Sequence, residues 1–208
     1  MHSKHTTLRA RLAAGLRGRI LDCGSGDDLY AAILRRGDNE VVSLDIDFEA
    51  LAAGRPPAVA GSCARLPFAD DAFDAVWACA LIEHVREDAV PEMIRVTRPG
   101  GRIVIVTPNR HSPFDAMKRI LGLTAWDENE GHVRLYDYEA LRPYGRVHGE
   151  TWFVPFGGWF FWRYPRFAHV LVQEVCVTPS LKARVRAAGG GHEARGTSPM
   201  RWSCPGRP

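Results

Sequence analysis

Short apolar runs, each ended by a turn or an acid, recur through the first half of the chain and alternate with stretches of helical periodicity. Arg19–Cys23, Glu40–Leu44, Ala58–Ala60, Asp74–Cys79 and Arg102–Thr107 are short, apolar or β-branched, and read as strands. Leu8–Leu16, a segment from Asp27 to Arg36, Phe48–Ala53 and Glu87–Val96 read as helices, the last stopped by Pro99-Gly100-Gly101. Strands without an exposed polar face, alternating with helices, predict an α/β fold with a parallel sheet covered on both sides. Beyond Pro108 the pattern loosens. Phe114–Leu121 and Asp137–Leu141 read as helices, and Arg146–Val154 with His169–Val177 as a final pair of strands. From Pro179 onward Gly, Arg, Ser and Pro dominate without periodicity, which predicts an unstructured basic tail over 179–208.

Composition changes this picture little. The chain of 208 residues, 46% of them hydrophobic, suits one domain over 1–178 with a real core. No apolar run approaches the ~18 residues of a membrane span, and no secretory h-region stands near Met1, so a cytoplasmic protein is expected. Cys23, Cys63, Cys79, Cys176 and Cys204 are odd in number and lack metal-ligand spacing, so they read as reduced thiols. The net charge of +3 is uneven. Residues 1–19 hold five Lys/Arg and no acid, residues 179–208 six Lys/Arg and one acid, and the middle is acidic. A solvated tail is the simpler account of the basic end, and no nucleic-acid partner is expected.

Residues 20–26, "ILDCGSG", carry the first chemical signal. Gly24 and Gly26 let the backbone turn tightly after a buried strand and admit a ligand close to the main chain. In a doubly wound sheet that strand end is where ligands bind. A dinucleotide fingerprint needs a third glycine, and none follows. Asp22, Asp27 and Asp28 crowd the turn and would repel a pyrophosphate. They suit a ligand whose local charge is positive and which carries no phosphate, as S-adenosylmethionine (SAM) does. Asp45 ends the second strand, 21 residues after Gly24. A carboxylate there either accepts the hydroxyls of an adenosyl ribose or caps the next helix.

Five segments in order resemble the class I SAM-dependent methyltransferases of the small-molecule kind, over roughly residues 18–142. They are "ILDCGSGDD", "VVSLDID", "VAGSCARLPFADDAFDAVWACALIEHV", "EMIRVTRPGGRIVIVTPN" and "GHVRLYDYEAL". The resemblance implies a Rossmann-like doubly wound sheet, mostly parallel with an antiparallel last strand, and a substrate-facing variable part at about 109–168. It implies SAM as cofactor, S-adenosylhomocysteine as product and a small-molecule acceptor. Asp22, Gly24, Ser25 and Gly26 would wrap the methionine end, and Asp45 and Ile46 would hold ribose and adenine. Ser62 and Cys63 would lie at the adenine edge, with Ala78 and Cys79 under the methyl group. The chain departs from the family at Asp28, where the third glycine is usual, and at Ser62, where an Asp is usual.

Transfer to a hydroxyl or amine needs a base for the acceptor's proton. His84, after the fourth strand, is the first candidate, with a structural imidazole as the alternative. His111 and His132 in the variable part are further candidates, each also readable as a solvated loop histidine. Glu83-His84 is similar to the Glu-His pair of metal-assisted O-methyltransferases of ubiquinone biosynthesis, which carry another Glu three residues earlier. That position is Ala80 here, so no metal is expected. The aromatic stretch 152–167 admits a packed corner, a pocket wall or a membrane contact. The expected activity is biosynthetic O- or N-methylation of a small molecule. The alternatives are a lipid or quinone methyltransferase at a membrane surface and an inactive methyltransferase-like binding protein; the oligomeric state stays open.

Overall fold

The computed structural model describes residues 7–26, 30–47, 49, 51, 57–122, 131–150 and 164–188. Seven strands form one sheet: β1 (Arg19–Cys23), β2 (Glu40–Asp45), β3 (Ala58–Ala60), β4 (Phe73–Cys79), β5 (Thr97–Pro108), β6 (Arg146–Glu150) and β7 (Val170–Cys176). Their order is β3-β2-β1-β4-β5-β7-β6. β1 pairs in parallel with β2 and β4, and β4 with β5, while β7 runs antiparallel to both β5 and β6. This is the Rossmann-like doubly wound sheet with an antiparallel last strand that the sequence predicts. The order reverses at β1, so the loops after β1 and β4 open a crevice at the carboxyl edge.

Alternation along the central strands feeds two cores. Leu21, Cys23, Val76, Ala78, Ile103 and Ile105 point to one face, where helix α3 (Val90–Val96) supplies Met93 and Ile94. Ile20, Ala75, Trp77, Val104 and Val106 point to the other, against helices α1 (Thr7–Ala14) and α2 (Ala31–Leu34). Tyr30 tilts onto buried Trp77 with ring centroids 4.9 Å apart. Helices α4 (Pro113–Ile120) and α5 (Tyr138–Leu141) follow β5; Asp137 caps α5 by accepting from Ala140 N at 2.9 Å.

Three expectations differ from the structure. Helix α3 begins at Val90 rather than Glu87, because Asp88 Oδ1 accepts from Val90 N in a tight turn before it. β5 starts at Thr97, earlier than Arg102, because Phe73 of β4 pairs with Thr97 and Gly100 N donates to Val177 O at 2.7 Å. The tail is helical over α6 (Pro179–Ala188). Leu181 is buried there, and the Lys182 ammonium is held by Asp71 and by Arg95 O. The sequence could not show these partners, since they come from a distant turn and from α3. The expected helix at Phe48–Ala53, the opening of the one at Asp27, the strand end at 151–154 and the tail beyond 188 lie outside the described residues.

One ion network joins the last three strands. Glu174 of β7 meets His148 Nε2 of β6 at 3.1 Å and Arg102 Nη2 of β5 at 2.9 Å. The His148 hydrogen bond, with Arg102 beside it, holds the Glu174 carboxyl down at about 2, against an ordinary 4.5. A depressed carboxyl stabilises the fold above its unfolded value and loses that contribution as pH falls through the folded one. Urea unfolding at stepped pH is therefore expected to show stability falling between pH 4.5 and about 2. Glu174→Gln should flatten that slope and remove on the order of 2–3 kcal/mol at neutral pH.

Candidate active site at the carboxyl edge

The turn after β1 is shaped by its neighbours. Gly24 has φ +73°, and a Cβ there would meet Leu81 Cδ1 at 2.7 Å, so both conformation and packing demand glycine. Gly26 has φ +47°, and among the described residues beyond its chain neighbours a Cβ there would meet no atom within 4 Å. The turn is fastened to β2: Gly24 N and Ser25 N donate to Leu44 O at 2.7 and 3.1 Å. Gly26 N donates to Asp45 Oδ2 at 2.9 Å, and Asp47 N to Asp45 Oδ1 at 3.0 Å. Asp22 and Ser25 are buried, Asp45 is half-buried, and Ile46 is 79% exposed.

The next loop closes the same edge. Gly61 N donates to Asp45 O at 2.8 Å, and Ser62 Oγ accepts from Ala64 N at 3.2 Å. The buried Cys63 thiol bonds that of Cys23, which with burial pushes Cys23 well above the usual thiol range. The structure thus brings Asp22, Gly24, Ser25, Gly26, Asp45, Ser62 and Cys63 to one edge. Ala78 is fully buried beneath it, and Cys79 is half-buried with its thiol pushed up to about 11 by burial.

Across the crevice, β4 leads through Ala80 (φ +53°) into a 3-10 turn at Ile82–His84. The His84 and His132 rings stand edge-to-face, 4.9 Å apart. His111 is exposed and pairs with Asp137 at 3.5 Å. Tyr136 is buried in the core, whereas Tyr138 lines a cavity of about 300 Å³ with Arg142, Tyr164, Arg166 and Phe167. Of the aromatic stretch, residues 152–163 lie outside the described residues.

Sequence reasoning missed two residues here, Asn109 and Arg9, and named Glu83 only for its likeness to a Glu-His pair. Glu83 is 1% exposed and accepts from Thr107 Oγ1 at 2.9 Å. Buried Asn109 donates to Ala168 O at 2.7 Å and to Arg166 O at 3.1 Å, latching the chain before β7 onto the end of β5. Arg9 of α1 pairs with Glu150 at 2.8 Å, and beside Cys79, Glu83 and Thr107 it lines a small void of about 30 Å³. The "TPN" ending of β5 was the available signal for Asn109; Arg9 carried none.

The fold is that of solved SAM-dependent methyltransferases, and residues 21–105 match the family model described as a methyltransferase domain. A demethylmenaquinone methyltransferase of Mycolicibacterium paratuberculosis is 41% identical over 102 residues, 47% of this chain and 44% of that protein. The match thus spans less than half the length of this curated relative. A solved SAM-dependent methyltransferase of Thermotoga maritima, described as a possible histamine N-methyltransferase, shares the fold with a TM-score of 0.61. It is 15% identical, over 82% of this chain and 86% of its own. A SAM-dependent methyltransferase of Archaeoglobus fulgidus superposes with a TM-score of 0.55 at 16% identity, over 80% of this chain and 90% of its own.

The residues present fit SAM. Among the described residues the Gly26 position leaves space where a side chain would stand, and the Asp45 carboxylate faces the turn with lone pairs to spare. Acids at Asp22 and Asp45 favour a cation over a diphosphate. Calorimetric titration is expected to show Asp45→Ala weakening SAM binding at least tenfold, consistent with two lost charge-assisted hydrogen bonds of about 1.5–3 kcal/mol each. His84→Ala should stay within about twofold of the parent, since ~0.4 kcal/mol covers that change.

Proposed function

We propose that this chain transfers a methyl group from SAM to a small-molecule acceptor, as a cytoplasmic biosynthetic enzyme acting on oxygen or nitrogen. The observation that carries the reading is the hydrogen bond from Gly26 N to Asp45, which holds a phosphate-repelling turn beside a ribose-binding acid. In this reading Asp45 accepts the ribose hydroxyls, and Ile46, 79% exposed, packs on adenine. Ser62 and Cys63 border adenine, the Asp22–Gly26 turn holds the methionine end, and Ala78 and Cys79 floor the site. When bound, SAM supplies a methyl on a sulfonium, which passes to the acceptor as the carbon–sulfur bond breaks and leaves its electron pair on sulfur. The protein's main task is alignment, which can contribute about 7–11 kcal/mol. His84 receives the proton that a hydroxyl or amine acceptor sheds, with His132 beside it and His111 as further candidates for that task.

A quinone-like acceptor is the second reading. The mycobacterial relative's name favours it, and so does the cavity walled by Tyr138, Tyr164 and Phe167. No helix among the described residues is long and apolar enough to cross a membrane, so a lipidic acceptor would be met from the membrane surface. Cell extract incubated with SAM labelled in its methyl group is expected to yield a labelled small molecule, and Asp45→Ala should lower the yield at least tenfold. SAM binding without labelling of any acceptor would turn the reading into that of a binding protein. His84→Ala should lower turnover at least tenfold; unchanged turnover at every pH would remove His84 as the base.

A further inference from the structure

Glu83, His84 and His132 come together although a long stretch of chain separates the first two from the third. One carboxylate oxygen and one ring nitrogen from each histidine all lie within 4.8 Å of one another. The backbone enforces the meeting: Glu83 O accepts from Val133 N at 2.9 Å and from Arg134 N at 3.0 Å. These two bonds hold residue 132 against the 3-10 turn that presents Glu83 and His84. Thr107 Oγ1 donates to Glu83 Oε2 at 2.9 Å and so fixes the plane of the carboxylate, the role an outer-shell hydroxyl plays at metal sites. Glu83 Oε1 and His132 Nδ1 are sealed from solvent, while His84 is exposed. The arrangement is closed on the protein side and open on the other.

We infer that Glu83, His84 and His132 form a binding site for a divalent first-row transition metal such as Zn²⁺, with at least one coordination position left for an outside ligand. Two imidazoles and one carboxylate suit Zn²⁺ and its neighbours better than Mg²⁺ or Ca²⁺, which prefer all-oxygen shells. Ligand atoms around tetrahedral zinc stand about 3.4 Å apart, so small side-chain rotations complete the site. The sequence carried the opposite expectation because Ala80 offers no ligand; the third ligand comes instead from His132, which only the fold brings near. The open position faces the crevice mouth where, on the methyl-transfer reading above, the acceptor lies. A hydroxyl bound there would lose its proton more readily, so with the metal in place His84 serves as a ligand and no longer as the base, and the acceptor would be of a class that offers oxygen to a metal.

Full-length protein stripped with chelator and titrated with Co²⁺ tests the site directly. One equivalent per chain is expected, with the visible absorption of a four- or five-coordinate nitrogen–oxygen site, displaced by Zn²⁺. His132→Ala and Glu83→Gln are each expected to weaken binding at least tenfold. His84→Ala, a change at an exposed position, should do the same with an unaltered circular dichroism spectrum. Absence of stoichiometric binding overturns the inference, and so does binding that the folded His84→Ala variant retains. SAM calorimetry on the same preparation keeps the two readings apart: metal bound with no SAM bound upholds the metal site and refutes methyl transfer, and the reverse result does the opposite.

Discussion

The site depends on how β2 holds the turn that follows β1. One carbonyl, Leu44 O, accepts both Gly24 N and Ser25 N, and one carboxylate, Asp45, accepts Gly26 N. The backbone donors of the glycine turn therefore have partners even before any ligand arrives, which a buried or half-buried loop requires. The same bonds aim the end of β1 and the end of β2 at a common space. Parallel pairing sets this up, because it brings both carboxyl ends to one edge, and the reversal of order at β1 leaves that edge uncovered.

Much of this was legible in the chain, and the reason is local. Strands buried on both faces read as continuous apolar runs, so Arg19–Cys23 is found where expected. Gly24 and Asp45 were legible because each is needed by its own turn or strand end. What stayed hidden depends on remote partners. Lys182 is buried because Asp71 and Arg95 O meet its ammonium, and nothing near Lys182 in the sequence announces them. Asn109 matters through carbonyls at 166 and 168, and Glu83 through Thr107 and the backbone at 133–134.

The two halves of the crevice accordingly rest on different supports. The half proposed for SAM hangs on hydrogen bonds between the β1 turn, β2 and the loop after β3. The opposite half is assembled by long-range ties: the Asn109 latch, the Arg9–Glu150 pair, and the two hydrogen bonds to Glu83 O. Arg9 is held charged against its burial by Glu150, so that pair closes one side of the crevice with an interaction that removing either partner would break.

This division has a consequence for acceptor choice. A change in the 131–134 segment moves His132 relative to Glu83 and His84, whereas the Gly26–Asp45 bond is made between the β1 turn and β2. A change at Tyr138, Arg142 or Phe167 reshapes the aromatic cavity while Leu44 O still holds the glycine turn. On the methyl-transfer reading proposed above, a fold arranged this way changes its acceptor by rebuilding the segments beyond β5, with the proposed cofactor half kept at constant geometry. That is the physical reason a fold of this kind hosts many different acceptors.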